Sequence, residues 1–382
     1  MSSVTQQLME RGMVPEARKW PWLKNNVHYE TIMGSMAYGC ADTSVKDKPA
    51  DFDVYGFAFP PKQMMFPHLA GHLIMFGQKK KKGKSFVSFG PAPEGFEQMQ
   101  SHHIMDNDAL GGQGKEYDLN IFNIVKFFQL CLENNPNMVD SLFTPENMVI
   151  HCTNVGRIVR DNRKMFLSKL CWVKFRGYAH TQLKKMNDKE PQKVADSLRD
   201  FESEHGIDHA TKLSDVKKEM EKRGRSMTLE NLTDAQLTQY YRMYDAGQSK
   251  SSRFQMVKIH QYDIKFAYHI IRLFDEVEQI LVDGDIDLQR AREMMKSIRR
   301  GEWKADEVRD WAMVKERELE KAYANCKLPE VPDFKPIEEM LFNCIEDHYG
   351  SLENCVEQVG WSEDALKEID GVLDKHRRKL YS

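Results

Sequence analysis

No apolar run in the chain approaches the roughly 20 residues that a membrane-spanning helix requires, so no membrane partner is expected. Its opening stretch, MSSVTQQLMERGMVPEARKW, lacks the apolar centre of a secretory leader. The seven cysteines are scattered and include no C-x-x-C pair, which argues against a zinc ribbon and against a disulfide framework. Together these absences point to a reducing, cytoplasmic compartment, with cysteine as a small core residue. There is also no excess of positive charge. With 55 basic and 58 acidic residues the net charge is −3, which is not the bulk signature of a nucleic-acid binder.

What is present is a long chain with local order in its pattern. At 382 residues, 41% hydrophobic and 30% charged, it can fold as two domains or as one large domain with an appendage. The basic residues are clustered in a lysine run at 79–84, between Arg157 and Arg176, and between Arg290 and Arg300; solvated faces are the plain alternative for each. Residues 1–150 hold most of the strand-like segments and glycines, 151–330 read almost wholly as amphipathic helix, and 331–382 as a further helical extension behind Leu328-Pro329. Strands are expected at His28–Met33, Asp51–Phe59 and Tyr117–Phe122, with shorter ones at Leu73–Phe76 and Ser85–Phe89. Helices are expected at Met36–Cys40, at Asn123–Glu133 and, most clearly, at Asp263–Val282, where Phe266, Ile270, Leu273, Val277 and Ile280 form one apolar stripe. Residues 245–252 read as a linker, and His102-His103 as a loop.

The stretch that carries chemistry is Gly34-Ser35-Met36-Ala37-Tyr38-Gly39, followed by Asp51-Phe52-Asp53. Residues i and i+2 of a strand project from the same face, so Asp51 and Asp53 point the same way. Two carboxylates so close repel unless a cation lies between them. Mg2+, with Mn2+ as the alternative, suits carboxylate oxygens combined with phosphate and water. A Gly-Ser turn leaving a strand presents amide groups and a hydroxyl to an anion, and glycine lets a phosphate approach the backbone. Either element alone is a weak signal; two strand-end aspartates and an ordinary turn would read the same. A third carboxylate would serve as metal ligand and as base. Asp118, in an alternating strand before a helix, is the choice over Asp106 and Asp108. Lys265, His269 and Arg272 fall at i, i+4 and i+7 of the clearest helix and share a face able to meet a triphosphate; a solvated face is the alternative. Tyr178 and Gln182 are spaced likewise and could meet a base or cap the core. The pair His68 and His72 lacks a third ligand for zinc.

These residues resemble the DNA polymerase β-type nucleotidyltransferases, and more closely the RNA repair pathway polymerase β family. The resemblance is carried by Gly34-Ser35-x-Ala37-Tyr38-Gly39, Asp51-x-Asp53-x-x-Gly56, Tyr117-Asp118-Leu119 and Asn135-Pro136-Asn137-Met138-Val139-Asp140-Ser141. It continues through Phe175-Arg176-Gly177-Tyr178, Tyr262 to Leu273, Ile298-Arg299-Arg300-Gly301 and Leu328-Pro329. One departure is Ala50, where several members carry serine. The resemblance implies an α+β fold, a small mixed sheet flanked by helices and followed by a mostly helical domain that completes the site. It implies Asp51, Asp53 and Asp118 as metal-binding and catalytic residues, and Gly34, Ser35, Tyr38, Lys265, His269 and Arg272 as contacts to a nucleoside triphosphate. The expected reaction passes a nucleotidyl group to a hydroxyl, first an RNA or tRNA 3′ end, then a protein or small molecule. A nucleotide- or RNA-binding protein without catalysis is the competing reading.

Overall fold

The computed structural model describes residues 3–14, 20, 22–41, 51–66, 98–106, 114–188, 191–205, 207, 235, 236, 238–240, 257 and 259–350. The strand candidates at 73–76 and 85–89, the lysine run, His68, His72, Asp108 and the linker at 245–252 lie outside these residues.

Five strands form one mixed sheet: β1 (Val27–Ile32), β2 (Asp51–Ala58), β3 (Gln98–Asp106), β4 (Lys115–Asn123) and β5 (Val149–Cys152). Their order is β3-β4-β2-β1-β5; only β2 and β4 run parallel. The helices that matter below are α1 (Val4–Glu10), α2 (Gly34–Ala37), α3 (Ile124–Leu132), α4 (Pro136–Phe143), α5 (Asn154–Asp161), α6 (Leu170–Asp188), α7 (Pro191–His205), α8 (Ile264–Asp283), α9 (Arg292–Arg299), α10 (Ala305–Asn325) and α11 (Phe334–Tyr349). The fold is α+β, a mixed sheet followed by a helical part, as expected.

Alternation along the strands sorts side chains into two cores. Phe52, Val54 and Ala58 of β2 join Tyr117, Leu119 and Ile121 of β4 in a smaller core with Leu8, Val14, Trp20 and Leu23. Tyr29, Phe57 and Phe122 point the other way, into a large core shared with α3, α4, α6 and α8. The β2–β4 pairing puts Asp51, Asp53, Tyr55, Glu116, Asp118 and Asn120 on that second face.

Local signals explain several boundaries. Asn123 caps α3 through its side chain and Ile124, Phe127, Phe128 and Cys131 are all buried, as their spacing predicts. Asn135 caps α4 with Pro136 in the first turn. Asp263 caps α8, and Gly284 closes it in the left-handed region. The Glu30 carboxylate accepts from the Val4 and Thr5 amides at 2.6 and 3.0 Å, tying α1 to β1. At the far end, His348 stacks on Phe59 and lies 3.0 Å from His28, while the Tyr349 hydroxyl donates to the Pro60 carbonyl.

Two expectations are corrected. His102 and His103 stand inside β3, at a bulge where His103 has a φ of 56° and the β3–β4 register shifts. The stretch after residue 148 is not helical at once, because Val149–Cys152 pairs with β1 and extends the sheet.

Candidate active site

The site is assembled by strand register. In the parallel β2–β4 pair, Asp53 lies opposite Asp118 and Asp51 opposite Glu116. Neighbouring strands are about 4.8 Å apart, and in-register side chains share a face. The Asp53 and Asp118 carboxylates therefore sit side by side on one face. Asp118 keeps about 23% of its side chain exposed. Its Oδ1 accepts from the His103 amide at 2.7 Å, and His102 lies 3.6 Å away. Glu116 meets the His103 ring at 2.6 Å. The β3 bulge thus turns an amide and an imidazole toward the β4 acids.

The Gly-Ser turn lies against the same carboxylates. Gly34 has a φ of 69°, and a Cβ placed on it would fall onto Asp53 Oδ2. Glycine is required twice over, for its backbone and for the space. The Met33 amide donates to the Asp53 carbonyl at 2.7 Å, which fixes the turn to β2. No side chain caps α2, so its first amides face outward as a helix start leaves them. Gly34 and Ser35 are half-buried.

Behind the turn is a buried ionic cluster. Tyr38 closes α2 and is buried. Arg272, 2% exposed, donates to the Tyr38 hydroxyl and to Asp140 Oδ2, the latter at 2.5 Å, and lies 3.7 Å from Glu276. Burial raises the Glu276 carboxyl well above the usual carboxylate range, and Asp140 adds to the effect. Burial also lifts Asp140, to about 6, against the pull of Arg272. One cation among two buried acids is neutral if a proton is shared between Asp140 and Glu276. Such a proton also gives Asp140 Oδ1 and one Glu276 oxygen, which find no other partner, a hydrogen bond to each other.

The helical residues expected at the nucleotide do not share one environment. Lys265 is exposed, His269 half-buried and Arg272 buried, so the stripe dives from solvent into the core. Tyr38 and Arg272 lie beneath the turn. Gln182 is buried and Tyr178 is 38% exposed. Asp106 is buried and pairs with Arg11 at 2.6 Å, on the edge strand β3. Two tyrosines sense the Asp53 charge. Tyr55 and Tyr268 are both pushed up to about 12, first by burial; Asp53 contributes to each, and Tyr178 to Tyr55.

Three acids and one base escaped the reading of the sequence. Glu116 stands two residues before Asp118, the same i and i+2 signal that picked out Asp51 and Asp53. Asp140 lies within the Asn135-Pro136-Asn137 motif, and Glu276 four residues beyond Arg272. Arg299 lies 5.4 Å over the Tyr268 ring, with no carboxylate partner among the described residues.

Among the described residues no three His, Cys, Asp or Glu side chains stand together as a finished metal cluster, and the Asp51 side chain lies outside them. The donor chemistry nevertheless fits a hard divalent cation: carboxylates in adjacent register, beside a turn whose glycine gives the Asp53 carboxylate room.

A mixed sheet with carboxylates in register across a parallel strand pair, a glycine–serine turn against them and a helical domain behind is the nucleotidyltransferase fold of the polymerase β type. A family-level comparison agrees and is narrower. The chain belongs to the RNA repair pathway DNA polymerase beta family, whose sequence model matches residues 10–343. No curated protein and no solved structure matches the chain. No helix among the described residues is long and apolar enough to cross a membrane.

Proposed function

We propose that the protein transfers a nucleotidyl group from a nucleoside triphosphate to an RNA 3′ hydroxyl and releases pyrophosphate. The observation that carries this reading is the register of Asp53 with Asp118, with Gly34 held against the Asp53 carboxylate. Asp51, Asp53 and Asp118 would hold Mg2+ or Mn2+. Once bound, the cation neutralises phosphate charge and lowers the pKa of the attacking hydroxyl.

The protein's own groups do the rest. Gly34 and Ser35 receive the triphosphate on outward-facing amides and a hydroxyl. Lys265 and His269 approach it from α8, and Arg299 from α9, as point charge, hydrogen-bond donor and fork respectively. Arg272 and Tyr38 act from beneath, keeping α2 seated against β2. Asp118 takes the proton of the acceptor hydroxyl, whose oxygen forms the new bond to the α-phosphorus as the bond to the β-phosphate oxygen breaks. The His103 amide on Asp118 Oδ1 leaves Oδ2 for that proton. Alignment and charge stabilisation supply most of the acceleration.

The test is incubation with each α-labelled nucleoside triphosphate, Mg2+ and total RNA or lysate, beside Asp53→Asn. Label in RNA, lost in the variant, is expected. Label in protein would move the acceptor to a protein hydroxyl. Absence of label with all four nucleotides, or full activity in Asp53→Asn, would overturn the reading.

A further inference from the structure

In a chain of net charge −3, residues 162–187 contain seven basic side chains and no acidic one. Three of the seven pair with carboxylates, and a fourth, Arg163, is half-buried and donates to the Arg160 carbonyl. Lys164 pairs with Asp285, Lys169 with Glu330, Arg176 with Glu316, and Arg163 lies over Phe143. The remaining three, Lys174, Lys184 and Lys185, are exposed on α6 and have no carboxylate partner among the described residues. Lys174, Tyr178, Thr181 and Lys185 are spaced i, i+4, i+7 and i+11, one line along the helix. Lys185 lies 5.8 Å over Phe266, whose neighbour Lys265 is also exposed and unpaired among the described residues.

This line runs beside the site: α6 packs against α8, whose Arg272 lies beneath the Gly-Ser turn, and Tyr178 is exposed midway along it. Beside it, a Cβ placed on Gly177 would touch nothing within 4 Å, so the flank of the ring is open. Unpaired lysines at intervals with an exposed aromatic ring between them suit a single strand of nucleic acid: phosphates go to the cations and a base to the ring face. At about 1.5 Å per residue the line from Lys174 to Lys185 is ~16 Å long, the span of roughly four to five stacked nucleotides at ~3.4 Å each.

We infer that this stripe of α6, continued by Phe266, is the track for the single-stranded RNA segment behind the reacting 3′ hydroxyl, with a base stacked on Tyr178. The inference rests on the proposed transfer to RNA and adds the path of the acceptor. A protein acceptor would instead need carboxylates to match the lysines and would have no use for a stacking face.

The experiment measures binding of a short fluorescein-labelled single-stranded RNA to the full chain by anisotropy, across a salt series. Lys174→Glu combined with Lys185→Glu is expected to weaken binding at least about tenfold and to lower the log–log salt slope by about 1.4, at ~0.7 per lost phosphate contact. Tyr178→Ala is expected to weaken it by about tenfold with the slope unchanged. Both variants should keep wild-type affinity for the nucleoside triphosphate. Asp53→Asn should bind the RNA as the wild type does, which separates the two proposals: full turnover in Asp53→Asn removes the catalytic reading, whereas RNA binding untouched in the lysine double variant removes the track. Loss of triphosphate affinity in Tyr178→Ala would make that ring a nucleotide-base contact and would also overturn the track, as would label appearing only in protein.

Discussion

The molecule holds two pairs of acids, of which the sequence pattern singles out only the outer. On the sheet, Asp53 and Asp118 are brought side by side by strand pairing and stay partly open to solvent. Beneath the turn, Asp140 and Glu276 are fully enclosed around Arg272. The first pair lies half-exposed on one face of the sheet, within reach of solvent. The second has its cation built in and shares a proton to remain neutral. Placement therefore separates the two pairs: the outer acids face solvent beside the turn, and the inner ones hold the floor beneath it.

The widest separation between the pairs is expected in turnover. Asp53→Asn or Asp118→Asn should reduce nucleotidyl transfer by about 10³-fold or more with the melting temperature little changed, read by label incorporation and calorimetry. A large fall in melting temperature would erase the distinction. The inner cluster should answer oppositely. Arg272→Ala leaves two acids enclosed without their cation and should cost about 3–5 kcal/mol of stability in urea unfolding. A smaller effect sharpens the assignment of the shared proton. Glu276→Gln, which replaces a protonated acid by an amide of like shape, should cost less than about 1 kcal/mol, while Asp140→Asn, which deprives Arg272 of its anion, should cost about 3. Equal costs would place the charge on both acids.

The mildest expected effect concerns a third pair, half-buried at the other end of the sheet. His28 and His348 are held neutral, each lowered to about 4, chiefly by burial and, for His28, also by the neighbouring imidazole. An unfolded chain takes up these protons from about pH 6.5 downward, so between about 6.5 and 4 it binds more protons than the folded one. Stability from this contact is complete above pH 6.5 and falls as the pH drops toward 4. His348→Phe, which keeps a ring against Phe59, should flatten the lower part of that profile. An unchanged profile would show that the two rings do not set it.

Much of this was legible in the chain. The i and i+2 acids, the glycine turn, the capped helices at 124 and 264 and the apolar stripe on α8 are local patterns, and local physics determines them. The register between β2 and β4 is not local. It joins strands more than fifty residues apart, so Glu116 was visible as an acid yet not as the neighbour of Asp51. Helical spacing placed Arg272 with Lys265 and His269, but spacing fixes only the angle around an axis. Whether a position meets water or core depends on what packs there, and here α2 and α4 cover Arg272 while Lys265 stays outside. The bulge at His102-His103 was hidden for a related reason. Two polar histidines read as a loop, and only pairing with β4 shows them to be a strand with one irregular step.

Gly34 carries a practical consequence. It leaves no room for a methyl group, since a Cβ there would fall onto Asp53 Oδ2. Gly34→Ala would insert a plug between turn and carboxylate at a backbone cost of only about 1–2 kcal/mol. The product should be a folded protein that keeps every acidic and basic group yet cannot seat a triphosphate, a silent twin against which substrates trapped by the intact protein can be compared.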